Sequence, residues 1–321
     1  MSQTKPLVVV FGSTGETGQS IVQGLLNSGA FRVTAVVRDP TKATAVKVAG
    51  WGATLVKADL EDVSQERLQE ILKAADIVIS TVPPPLLEAQ TKIVDAAKAA
   101  GVKRFVPDDF GTEAPKGVLR LHDRKLAIRD YIKASGVSYT FIEVGWWKQL
   151  FIPFPPSLTG TVPDSTRQFP GKGDAPVAVT DLHHIGSYVA RVLQDERTLN
   201  QRVFIWEDEA TLDEAWAIAE KMFGEEILKL KKVIPEEIFI RQLAAVRAAT
   251  PPDAPYSVVL SSVEYANSLY IRGDNTPEKA KASGALLFRE LYPDVKTQSY
   301  KDFAEAFYKA PYVPYAESGK Y

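Results

Sequence analysis

Three glycines within seven residues mark the first place in this sequence where chemistry can be read. Residues 8–18 run Val-Val-Val-Phe-Gly-Ser-Thr-Gly-Glu-Thr-Gly, a buried-strand pattern followed by Gly12, Gly15 and Gly18 and then by a helical pattern. At such a junction one glycine permits the tight turn, one lets the main chain approach a pyrophosphate, and one lets the helix pack on the strand. Free N–H groups of the helix N-terminus point at the anion. Ser13, Thr14 and Thr17 belong to the same cradle. Roughly twenty positions on, where an acidic residue would take an adenosine ribose, Arg38 closes the run Val33–Val37. A guanidinium suits a 2′-phosphate, so NADP(H) is expected over NAD(H). Asp39 follows directly and leaves a ribose-binding alternative open, while Lys42 or Lys47 could add positive charge.

Composition removes most other chemistry. The 321 residues contain no cysteine, which excludes disulfides, thiolate nucleophiles and cysteine-held metals. Only three histidines occur, and His183 and His184 are neighbours, so no metal site is expected. Lys plus Arg (38) nearly balance Asp plus Glu (40), leaving no field to hold a nucleic acid directly or an anionic membrane. No apolar run reaches the ~18 residues of a membrane helix, and the N-terminus lacks a signal-peptide pattern. A cytoplasmic protein with a small-molecule substrate, as monomer or homodimer, is expected.

The elements that must position these residues alternate in the first half. Strand patterns at 7–11, 32–37, 54–57, 76–82, 104–107 and 138–144 are separated by helical patterns at 18–28, 40–49, 65–74, 86–100 and 123–135. Six strands with five crossovers predict a Rossmann-type, doubly wound parallel α/β sheet. The proline-rich stretch from Phe151 cannot continue either element and marks the exit from a nucleotide domain spanning 1–155. A helix at 181–193, capped by Thr180 or Asp181, and a strand at 201–206 suggest that 177–206 rejoins that domain. Residues 156–321, with helical patterns at 211–222 and 236–249, would otherwise form a smaller, mostly helical substrate region.

Further polar residues gather near the predicted carboxyl edge of the sheet. Asp108 and Asp109 follow the fifth strand, where open α/β sheets place ligands, and two adjacent carboxylates could hold a cationic amine or imine; a loop-anchoring role is the alternative. His122 could face the same cleft or stand exposed at a helix start. Glu143 and Lys148 flank Gly145-Trp146-Trp147 at the expected cleft mouth, where one tryptophan would wall the pocket. His183 and His184, at a helix start, are read as structural.

The Gly-x-x-Gly-x-x-Gly spacing is typical of extended and atypical short-chain dehydrogenases, and the chain resembles the NmrA-like and isoflavone-reductase-like family, especially its fungal members. The resemblance is carried by the glycine loop, Thr81-Val82-Pro83, the stretch 96–111 ending Phe-Val-Pro-Asp-Asp-Phe-Gly, and 125–141 with its Lys-x-x-x-Arg and Tyr-Thr-Phe. It covers about the first 150 residues well and is looser beyond. It implies NADPH across Gly12–Gly18, Arg38 and Thr81–Pro83, with substrate between that domain and the C-terminal part, against Asp109, Phe110, Trp146, Trp147 and Phe151. The family's lysine beside the nicotinamide falls on Lys125. An ammonium there can orient ribose hydroxyls or deliver a proton, and desolvation would bring its pKa down toward neutrality. Asp108 stands where the family usually has serine, and with His122 is a further catalytic candidate. Leu121 occupies the place four residues before Lys125, so the Tyr-x-x-x-Lys pair of ordinary short-chain dehydrogenases is absent; Tyr292-Pro-Asp-Val-Lys296 has that spelling, but its proline argues against a helical pair. The expectation is an NADPH-dependent reductase of a conjugated C=C or C=N bond in a secondary metabolite. An NmrA-type regulatory protein that senses NAD(P), and an NADP(H)-binding enzyme performing a non-redox imine cyclisation or isomerisation, are the alternatives.

Overall fold

Alternation along the first strand decides the layering. In β1 (Leu7–Phe11) Val8 and Val10 enter one apolar core while Val9 and Phe11 enter another, so the strand is buried on both faces. A strand buried on both faces belongs to a parallel sheet sheathed by helices. The computed structural model describes residues 5–315, and its first five strands are β1, β2 (Arg32–Val37), β3 (Thr54–Lys57), β4 (Ile77–Ser80) and β5 (Arg104–Val106), paired in parallel in the order β3-β2-β1-β4-β5. A parallel bridge between Phe105 and Tyr139 leads on to β6 (Thr140–Glu143). The Rossmann order 3-2-1-4-5-6 is thereby complete.

The chain then returns to the sheet twice. The strand Gln201–Phe204 pairs in parallel with β6, and Leu286–Leu287 pairs with its far side. One return lies within the segment expected to rejoin the nucleotide domain; the other comes from deep in the C-terminal part.

Helices α1 (Glu16–Asn27) and Ile185–Leu193 cover one face, contributing Ile21, Val22, Leu25, Ile185 and Val189 to its core. The other face is covered by α3 (Gln65–Leu72), α4 (Gln90–Ala100) and α5 (Arg120–Ser135), while α2 (Ala43–Gly50) lies beside β2 and β3. A third core, with Phe151, Phe154, Trp216, Tyr300 and Phe303, belongs to the C-terminal part. Its helix Leu212–Phe223 starts at a capping box in which Thr211 and Glu214 satisfy each other's main-chain N–H groups. The expected helix at 181–193 opens as a short 3₁₀ turn whose cap is Asp181, accepting from the His183 N–H. Among the described residues no helix is long and apolar enough to cross a membrane.

Candidate active site

The carboxyl ends of β1, β4 and β5 bring the glycine loop, Thr81–Pro83 and Asp108–Gly111 to one edge of the sheet. Gly12 has φ +74°, and a methyl group there would lie 2.3 Å from the Thr81 carbonyl oxygen; one on Gly18 would lie 2.2 Å from the Gly12 oxygen. No side chain fits either position. Gly15 differs: it is exposed, and a methyl group there would meet only the Gly12 oxygen, at 3.5 Å. It also forms the N-cap of α1 without a side-chain cap, so no side chain covers the first-turn N–H groups from that position. Ser13 is fully buried and donates its hydroxyl to the Val36 carbonyl at 3.0 Å, which ties the loop to β2.

At the tip of β2, Arg38 is exposed and makes no ion pair among the described residues. Asp39 is committed locally: its Oδ1 accepts from the Thr41 N–H at 2.9 Å and hydroxyl at 2.7 Å, which hold its pKa below the usual range. Lys47 lies over the Trp51 ring at 5.4 Å.

The polar centre of the edge is Lys125, 9% exposed in the second turn of α5, with Nζ 3.2 Å from Asp108 Oδ2. The Asp108 main-chain N–H donates to Gln90 Oε1 at 2.8 Å, so the fully buried Gln90 on α4 fixes the loop that carries it. Burial opposes the charge on Lys125, yet Asp108, helped by Tyr265 and Asp109, outweighs it and raises the lysine pKa. That corrects the expected depression: desolvation alone would lower a lysine, but a carboxylate at contact distance reverses the sign. Burial raises the pKa of Asp108 against the pull of Lys125. Tyr265, from the helix Val258–Ala266 packed against α5, reaches the same place and packs at a tilt against Trp146, with ring centroids 4.8 Å apart. Its sequence context gives no signal for this.

Several expected site residues lie elsewhere. Asp109 is 2% exposed, with Oδ2 accepting from Arg129 Nε at 2.8 Å, while Arg129 Nη2 donates to Glu143 Oε1 at 2.7 Å. Asp109 is therefore a buried anchor rather than a substrate contact, and the two carboxylates do not wait for a cationic ligand: each already holds a cation of this chain. Glu143 does not stand at the cleft mouth either, nor does Lys148, whose fully buried Nζ meets Glu207 Oε2 and the Gln298 carbonyl, both at 2.6 Å. Phe110 and Trp147 lie in the core under α1, Trp147 against Tyr315, and Phe151 lies in the C-terminal core against Tyr270 and Tyr300. Their surfaces are already covered by protein, so of the expected pocket walls only Trp146 stands beside the lysine cluster. His122 is buried, not exposed, and burial pushes its pKa down to about 4. His184 Nδ1 pairs with Glu207 Oε1 at 2.6 Å, in keeping with a structural part. Tyr292 donates to Asp195 at 2.8 Å and its element stops at Leu291, so no helical tyrosine–lysine pair forms there.

A parallel sheet in this order, with a bare glycine cradle at its ligand-binding edge, defines a Rossmann-type nucleotide-binding scaffold. The chain belongs to the NmrA-like family, whose sequence profile matches residues 4–305. The likeness thus runs well past the first 150 residues. The chain is similar to asnovolin J 5′,6′-dehydrogenase of Aspergillus novofumigatus, 32% identical over 312 residues, covering 93% of this chain and 94% of that one. It is also similar to a phenylcoumaran benzylic ether reductase of Nicotiana tabacum, 32% identical over 317 residues, covering 94% and 99%. Among solved structures, the binary complex of leucoanthocyanidin reductase with NADPH from Vitis vinifera superposes with a TM-score of 0.75 at 21% identity, covering 94% and 99%, a likeness of fold.

Proposed function

We propose that this protein is an NADPH-dependent reductase of a conjugated C=C or C=N bond in a small secondary metabolite. The observation that carries the reading is a nearly buried ammonium, Lys125, held by a single carboxylate, Asp108, at the edge where the scaffold takes its ligand. The names of the relatives, a dehydrogenase and a benzylic ether reductase, and the NADPH in the Vitis complex support it.

The residues present fit the dinucleotide. Gly15 leaves main chain open to a pyrophosphate, the start of α1 has no side-chain cap, and Arg38 has no ion-pair partner among the described residues while Asp39 is spent on its own turn. Gly12–Gly18, with Ser13, Thr14 and Thr17, would cradle the phosphates, Arg38 the 2′-phosphate, and Thr81, Val82 and Pro83 the neighbouring edge. When bound, the reduced nicotinamide supplies a hydride. Lys125 then places a fixed positive charge where the substrate gains electron density, and Asp108 keeps that ammonium protonated and aimed. His122, low in pKa and buried under α5, stays neutral near pH 7 and is assigned no step.

Lys125→Met is expected to lower turnover by about a hundredfold or more, read from NADPH absorbance with candidate enones and imines. Turnover and NADPH affinity both unchanged would remove Lys125 from the mechanism. Calorimetry with NADPH and NADP⁺ tests the cofactor directly, and absence of heat from both would overturn the reading. Product formed without NADPH consumption would favour a non-redox enzyme on the same scaffold.

A further inference from the structure

Leu121 occupies the helical position from which ordinary short-chain dehydrogenases present a tyrosine to their lysine, and it is buried in the core under α5. A tyrosine nevertheless reaches Lys125 from a part of the chain 140 residues further on. A methyl group built on Gly111 would lie 3.1 Å from the Asp109 carbonyl oxygen, 3.8 Å from Tyr265 Oη and 3.9 Å from Lys125 Nζ, so the two polar tips approach one point beside a residue with no side chain. Lys125 is the first charge felt by the Tyr265 hydroxyl, and Asp108 is felt as well. Tyr265 makes no hydrogen bond among the described residues, although its ring is fixed against Trp146. Beside it, Trp146 Nε1 is buried without a hydrogen-bond partner among the described residues. The Tyr265 hydroxyl and the remaining N–H groups of the Lys125 ammonium are donors with unspent capacity at a ligand edge, a site for an acceptor that the protein does not supply.

We propose that Tyr265 is a catalytic residue, its Oη and Lys125 Nζ forming a two-donor pair over Gly111 that receives the substrate atom gaining negative charge during reduction. The proposal rests on the reductase reading given above. As the substrate carbon accepts a hydride from the dihydronicotinamide, a C–H bond forms and the π pair of the reduced bond moves along the conjugated system to its terminal heteroatom. The phenolic O–H of Tyr265 breaks as that heteroatom gains the proton. The tyrosinate left behind is held by the Lys125 ammonium and regains a proton from solvent before the next turnover. The group missing from position 121 is thus restored by the C-terminal part, which makes proton delivery depend on how that part docks on α5.

The test uses the full-length protein and 4-nitrophenol, whose phenolate absorbs visibly and mimics an oxyanion. Wild-type protein, alone and with NADP⁺, is expected to bind the phenolate and to favour it at a pH where the free phenol is mostly protonated. Tyr265→Phe keeps the ring on Trp146 and removes one donor. It should weaken phenolate binding roughly tenfold and shift the bound spectrum toward the phenol, with NADP⁺ affinity unchanged. Lys125→Met should abolish the spectral signature. A Tyr265→Phe protein that binds and ionises the probe like wild type overturns the proposal, as does a wild type that binds no phenolate. Failure of NADP⁺ to bind in the same samples would instead strike the reductase reading, and the two outcomes are scored separately.

Discussion

Two cations on one helix, a single turn apart, meet opposite surroundings. Arg129 Nε and Nη2 donate to Asp109 and Glu143, the same Glu143 oxygen lies 3.6 Å from Arg202, and Arg202 in turn holds Glu113 at 2.9 Å. Both acids of the pair are 2% exposed or less, and the guanidinium also lies 5.3 Å over the Phe141 ring. Lys125 has one carboxylate at contact distance, and beside it the Tyr265 hydroxyl makes no hydrogen bond among the described residues. Burial is similar at the two places, so burial does not separate a structural charge from a working one. What separates them is the capacity left over. The Arg129 cluster pairs its cations with carboxylates inside the protein and leaves over a buried acceptor, Glu143 Oε2, which has no hydrogen bond among the described residues, whereas the Lys125 cluster, like Arg38 at the sheet edge, keeps donors open to an incoming ligand.

The strongest way to break this contrast is to remove Arg129. Arg129→Met leaves Asp109 and Glu143 buried without their cation, and loss of one member of a buried ion cluster costs about 3–5 kcal/mol. Urea unfolding should show that loss, while NADP⁺ affinity measured well below the transition should not move. A stable Arg129→Met protein with weakened cofactor binding would invert the two assignments. His122 gives a somewhat smaller effect with a defined sign. Its folded pKa is about 4 against 6.5 for an unperturbed histidine, so between these values the unfolded chain binds a proton that the native state does not. Stability is therefore lost as pH falls from 6.5 to 4, by up to about 3 kcal/mol. His184, raised by its bond to Glu207, works in the opposite sense: its native state binds the proton more tightly than the unfolded chain does, and its effect lies toward the upper end of that window and above it. Asp108, Asp109 and Glu113 are raised chiefly by burial and act in the opposite direction, so the informative quantity is the difference between wild type and His122→Leu. That variant should have a flatter acid limb; an identical limb would mean that His122 is protonated in the native state.

What could be read from the sequence divides along the same line. The glycine loop, Arg38 and the six strands of the sheet are legible because each rests on neighbours in the chain: a period of two, a turn, a helix start. Lys125 and Asp108 were located by their place after the fifth strand and by family resemblance, but their 3.2 Å contact was not, and with it went the sign of the lysine's pKa shift. The exposed alternative for His122 fails because α5 begins at Arg120 rather than Asp123, which puts the imidazole in the first turn, where it is buried. The pairing of Asp109 with Arg129 spans twenty residues, and the approach of Tyr265 spans far more. Neither leaves a local pattern: the first joins α5 to the loop after β5, and the second is made by packing the helix Val258–Ala266 on α5.

The smallest effect sharpens the contrast from the side of the unsatisfied cation. Arg38 is exposed and unpaired within the described residues, so Arg38→Ala removes no internal contact and should leave the unfolding midpoint within about 0.5 kcal/mol of wild type. Its guanidinium is instead suited to a bidentate, charge-assisted bond with a phosphate, worth about 1.5–3 kcal/mol. Calorimetric affinity for NADPH should fall roughly ten- to a hundredfold, while affinity for NADH, which lacks the 2′-phosphate, stays nearly constant. Asp39 sharpens the reading further. With Oδ1 held by Thr41, it competes poorly for ribose hydroxyls, so the variant should lose its preference between the two nucleotides rather than reverse it. An Arg38→Ala protein that still binds NADPH as tightly as wild type would show that the charge left over at this edge serves something other than the adenosine phosphate.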